Sequence, residues 1–140
     1  MKFFYNDGGR KAAGYEGLAG DCTVRAIAIA LNQPYQHVYD ELFHRNKLNN
    51  PSGKGSPRNG GTNMKTIKAY LEECGWEWIA TMGFGTGCKV HLKVDELPNE
   101  TIICRVSKHL CAVIDGVIHD THNPSREGTR CVYGYWRRAQ

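Results

Sequence analysis

The segment Gly20-Asp21-Cys22-Thr23-Val24-Arg25-Ala26-Ile27-Ala28-Ile29-Ala30-Leu31 sets a cysteine at the start of a helix whose Ala26–Leu31 stretch carries no charge on any face. Helices that are apolar all round belong in a core. Gly20 lets the chain turn, and Asp21 is placed to cap the first-turn amides. A thiol at that turn meets unpaired N–H groups and the positive end of the helix dipole, which favour thiolate. Arg25 adds a cation nearby. Cys22 is therefore a candidate nucleophile, weighed against burial as core filler, the usual fate of a free cysteine. Cys74, Cys88, Cys104 and Cys131 have no base in obvious sequence contact and are assigned no chemistry.

At 140 residues the chain fits one domain, 1–140, large enough to bury a core without staples. The opening Met1-Lys2-Phe3-Phe4-Tyr5-Asn6-Asp7 turns polar too soon for a signal-peptide core, and no later apolar run has membrane-spanning length. A cytoplasmic location and no membrane partner are expected. In that compartment the six scattered cysteines read as reduced thiols, none paired. The excess of 18 Lys plus Arg over 14 Asp plus Glu, a net +4, is too mild to establish nucleic-acid binding. The basic residues Arg45, Lys47, Lys54, Arg58, Lys65 and Lys68, and Arg137 and Arg138 beside Tyr135 and Trp136, are read as solvated faces before phosphate contacts.

Pro34 opens a second helix running to about Asn46, amphipathic through Val38 and Leu42. Residues 47–61 lack periodicity and are expected as a flexible loop, a candidate lid. Thr62 or Asn63 caps a third helix through Ile67, Tyr70, Leu71 and Cys74, stopped by Gly75 and packed beside the first. Trp76–Ala80 reads as a strand. The glycines Gly83, Gly85 and Gly87 form no phosphate loop, since no Gly-Lys-Ser/Thr follows. Strands are expected at Thr101–Val106, His109–Ile114, Val117–Thr121 and Arg130–Trp136. Helices followed by antiparallel strands predict an α+β fold, with the first helix central and buried.

Asp115-Gly116 between Val113-Ile114 and Val117-Ile118 predicts a two-residue type I′ hairpin. If Ile114 pairs with Val117, then Cys111 faces Asp120, His109 faces His122, and His119 points away opposite Ala112. His109 and Asp120 then share a face as diagonal neighbours about 7–8 Å apart, close enough for the carboxylate to orient the imidazole. Cysteine chemistry needs such a base and such an orienting group. The same register also gathers His109, Cys111, Asp120 and His122, all able to ligate zinc, as an alternative site.

The order Cys22, His109, Asp120, with the text Ser107-Lys108-His109-Leu110-Cys111-Ala112-Val113-Ile114-Asp115-Gly116-Val117-Ile118-His119-Asp120-Thr121, resembles the papain-like cysteine peptidase superfamily. The likeness covers residues 15–31 and 101–121 and extends to small phage and prophage proteins. It implies a papain-like domain using Cys22 as nucleophile, His109 as general base and then acid, and Asp120 to orient His109. Glu16 stands where that family often has an oxyanion glutamine, and Asp21 and Thr23 depart from its Gly-x-Cys-x-Trp pattern. The Cys22 amide and the Asn6 side chain are the remaining candidate oxyanion donors. The function implied is hydrolysis of an amide, peptide or isopeptide bond in a peptide or protein, through a thioester that an acyl transferase would pass to another nucleophile. No cofactor is required. The other class weighed is a noncatalytic module binding a host protein or nucleic acid, in which Cys22 is simply buried.

Overall fold

A computed structural model describes residues 1–17, 20–57 and 62–140. Three helices, α1 (Cys22–Leu31), α2 (Tyr35–Asn49) and α3 (Met64–Glu73), precede most of a six-stranded sheet in an α+β arrangement. The strands are β1 (Lys2–Tyr5), β2 (Trp76–Ala80), β3 (Thr101–Val106), β4 (His109–Ile114), β5 (Val117–Asp120) and β6 (Gly134–Arg138), in spatial order β1-β5-β4-β3-β6-β2. The sheet is mixed rather than antiparallel, because β1, which alternation did not reveal, runs parallel to β5. Its aromatic residues Phe3, Phe4 and Tyr5 stay exposed, so no buried face marks it as a strand.

Helix α1 lies across β4, and its Val24, Ile27 and Ala28 are buried with Ile103, Leu110, Ala112 and Trp136. The opposite face of the sheet buries Ile102, Cys104, Cys111, Val113 and Ile118 with Leu92 and Val132. Strand alternation thus divides β4 between two cores. Asn32 closes α1 in the left-handed region, its N–H bonded to the Ile29 carbonyl. Asn63 caps α3, its Oδ1 accepting from the Thr66 N–H at 2.9 Å. The main neighbours of α3 are α2 and β2, not α1 as expected, because α2 occupies the flank of α1.

Pro34 precedes the first helical residue of α2, which continues past the expected end to Asn49. The expected 47–61 loop therefore starts later. Residues 50–57 are tied to α2 through Asn46 Nδ2 on the Gly55 carbonyl and Lys47 Nζ on the Pro51 and Gly53 carbonyls; residues 58–61, Arg58 among them, lie outside the described residues. The last expected strand begins at Gly134 rather than Arg130, with one isolated bridge upstream, His91 to Cys131. Cys88 and Cys131, expected as free thiols, form a disulfide with Cα atoms 5.9 Å apart across 43 residues of sequence, a pairing set by tertiary contact. Among the described residues no helix is long and apolar enough to cross a membrane.

Candidate active site

The Asp115-Gly116 turn has the two positive φ angles of a type I′ hairpin, 47° and 83°. It sets the register Ile114–Val117, Val113–Ile118 and Ala112–His119, after which the ladder stops. Asp120 is drawn toward the first strand instead, its carbonyl accepting from the Asn6 N–H at 2.9 Å. The anticipated Cys111–Asp120 and His109–His122 pairs do not form as ladder pairs. The side chains of His109 and Asp120 nevertheless meet, with Nε2 2.6 Å from Oδ2. That leaves Nδ1 as the ring nitrogen available to another partner.

The other partner is the thiol at the start of α1. Burial by itself would push the Cys22 thiol up, but the hydrogen bond and positive charge of His109, the Leu110 N–H and the Arg25 cation hold it below its ordinary value. His109 moves the opposite way. Burial disfavours its charged form, yet Asp120 and the Cys22 thiolate raise it to about 9. Burial likewise opposes ionisation of Asp120, and His109, the Thr121 N–H and Arg25 overcome it to leave the carboxylate below its usual range. These opposed shifts favour a thiolate–imidazolium pair steadied by a carboxylate.

Asp21 does not cap α1, as its local position had indicated. Its side chain is buried at 2% exposure and takes three partners: Arg25 Nε at 2.9 Å, the Tyr35 hydroxyl at 2.6 Å and Arg10 Nε at 3.0 Å. Arg25 continues the chain of charges, donating through Nη1 to Asp120 Oδ1 at 2.7 Å and to Thr121 Oγ1 at 2.9 Å. Its chief role in the site is thus to anchor Asp120, a pairing ninety-five residues distant that no local pattern could reveal. With Asp21 turned aside, the first-turn amides of Cys22 and Thr23 have no side-chain cap.

A cavity of about 510 Å³ opens on this centre, lined by Cys22, Thr23, Asn63, Arg105, Lys108 and His109 over an apolar floor that includes Met64, Ile67 and Leu110. Asn6 does not line it. The Asn6 side chain is held by the Gly8 N–H at 2.9 Å and by His119 Nδ1 at 3.3 Å, and His119 points away from His109. Gly8 is needed here, since a Cβ would come within 3.0 Å of the Arg25 carbonyl oxygen. Glu16 borders a separate cavity with Arg10, Asp21 and Arg25. Neither Asn6 nor Glu16 is brought to the thiol.

Of the four expected zinc ligands, His109, Asp120 and His122 hold their ligand atoms within 4.8 Å of one another. Cys111 is not in that group; it is buried, and burial drives its thiol well above the ordinary value. Of the basic residues singled out along the chain, Arg45 pairs with Glu41 and Glu73, Arg137 with Glu77, and Arg138 stacks over Trp76. Comparison with protein-family models, with curated proteins and with solved structures finds no match.

Proposed function

We propose that this protein is a thiol-dependent hydrolase of the compact papain-like kind, cleaving an amide, peptide or isopeptide bond through Cys22, His109 and Asp120. The observation that carries the reading is the His109 ring, 2.6 Å from Asp120 through Nε2 and coupled to the Cys22 thiol, at the wall of an open cavity. The Cys22 thiolate attacks the substrate carbonyl carbon, and the new oxyanion takes the Cys22 N–H as donor. Imidazolium His109 passes its proton to the leaving nitrogen, the C–N bond breaks, and a thioester remains on Cys22. His109, now neutral, takes a proton from water as the hydroxide oxygen attacks the thioester carbon. The C–S bond then breaks, the acid product leaves, and the Cys22 thiolate and His109 imidazolium are restored. Asp120 fixes the ring and favours its charged form throughout.

Labelling by an electrophilic acyl probe tests this. Mass spectrometry is expected to find the adduct on Cys22 in the parent protein and none at that position in Cys22→Ala. His109→Ala should retain the thiol but lose its reactivity below pH 7. A thiol that titrates near the ordinary value of about 8.5 and is indifferent to His109→Ala would overturn the reading.

The approach of His109, Asp120 and His122 favours a second reading, a metal-binding centre. Elemental analysis of protein purified without chelator separates the two. Stoichiometric zinc, lost in His122→Ala, would support coordination.

A further inference from the structure

Among the described residues lining the Cys22 cavity, the side chains able to carry charge at neutral pH other than the thiol are Arg105, Lys108 and His109, and no carboxylate is present. Arg105 and Lys108 make no side-chain hydrogen bond or ion pair with any described residue. This distinguishes them from Arg25, Arg45 and Arg137, each of which has an acidic partner. Arg105 is half-buried near the end of β3, paired across the sheet with Leu110, and Lys108 occupies the following turn just before His109. A half-buried guanidinium without a counterion is poorly compensated, and a ligand carboxylate offers the bidentate geometry that satisfies it. The cavity floor is apolar at Met64, Ile67, Val106 and Leu110. An occupant suited to both features has an aliphatic body and an anionic group.

We infer that the cavity selects acyl substrates carrying a carboxylate close to the reacting carbonyl, with Arg105 and Lys108 as the residues that read it. This rests on Cys22 acting as the nucleophile. Peptides with an acidic residue or a free terminal carboxylate beside the scissile bond are the substrate class. Neutral amides of the same size bind more weakly, because they leave both cations unsatisfied.

Iodoacetate and iodoacetamide test the inference, since they differ in charge but react identically: the thiolate forms an S–C bond and iodide leaves. A Cys74→Ser background removes the exposed thiol that follows α3, while Cys104 and Cys111 are buried. The quantity read is the ratio of iodoacetate to iodoacetamide rates at Cys22, followed by mass spectrometry. His109 is present in every variant, so its own attraction for the anion is common to all. Arg105→Gln and Lys108→Gln are each expected to lower the ratio, and the pair together by about tenfold, the lower end of the range for charge-steered encounters. In the parent protein, 0.5 M NaCl should also lower it by screening, a readout independent of how the variants fold. A reactive Cys22 whose ratio ignores the double substitution overturns the carboxylate preference alone, whatever salt does through His109. A Cys22 unreactive toward both reagents at pH 7 overturns the nucleophile assignment, and the inference with it.

Discussion

Arg25 Nη1 donates to Asp120 Oδ1 at 2.7 Å, so the first buried helix is joined directly to the carboxylate that holds His109. Through Nε the same guanidinium binds Asp21 at 2.9 Å. The start of α1 and the His109 ring therefore rest on one buried charge network rather than on two independently placed elements. Buried ion pairs are often near neutral in net stability, but removing one member strands the others.

Arg25→Met is accordingly expected to destabilise the fold by about 3–5 kcal/mol, because it leaves the buried Asp21 and Asp120 short of a counterion. Urea unfolding followed by circular dichroism measures it. A loss below about 1 kcal/mol, within the range of exposed pairs, would mean that Arg10 and His109 suffice.

Asp120→Asn removes the acceptor that favours imidazolium. Labelling of Cys22 at pH 6 should fall at least about tenfold, in keeping with the large effects of removing a base-orienting carboxylate. His109→Gln should lower it further. Equal labelling rates in Asp120→Asn and the parent across pH 5–9 would remove Asp120 from the site.

The stability that the His109–Asp120 pair contributes depends on pH with a definite sign. His109 is raised to about 9 in the folded protein, so its contribution is full below its unfolded value of 6.5 and fades as pH rises through 9. Asp120 is lowered, so its contribution is present above its unfolded value of 3.8 and is lost as pH falls through its folded value. The stability difference between the parent and Asp120→Asn should therefore be greatest between about pH 4 and 6.5 and shrink on either side. Denaturant midpoints at pH 3, 5.5 and 9.5 check this, and a difference that grows toward pH 9.5 would contradict it.

Opening the Cys88–Cys131 bridge should cost stability without silencing the thiol. Closure of a loop across 43 residues corresponds to about 4 kcal/mol in the chain-entropy picture. The double variant Cys88→Ser, Cys131→Ser is expected to shift the urea midpoint down while Cys22 keeps its labelling rate, since neither residue lines the Cys22 cavity. A parallel loss of labelling would place the bridge among the supports of the site.

Gly134 pairs with Ala80 on one side and Arg105 on the other, where a Cβ would fall onto the Trp78 indole and 2.8 Å from the Ile79 carbonyl oxygen. Gly134→Ala is expected to destabilise by about 1–3 kcal/mol through overpacking. Thermal unfolding reads the effect.

The amino-acid sequence alone determined the features whose causes lie within a few residues of one another. The uncharged run after Cys22 sets the buried helix, Asn63 sets the start of α3, and Asp115-Gly116 supplies the turn angles and register that put His109 and Asp120 on one face. Local patterning misread Asp21, whose carboxylate is turned from the helix amides by Arg25, Arg10 and Tyr35. It also overlooked β1, whose exposed aromatic residues lack an alternating buried face, and it left Cys88 and Cys131 unpaired. Only tertiary structure decided those, along with the meeting of thiol and imidazole and the placement of Arg105 and Lys108 beside them. Each depends on contacts between segments distant in sequence, whose closure is set by packing of the whole chain, whereas turns and caps are fixed by backbone sterics and hydrogen bonds that neighbouring residues carry with them.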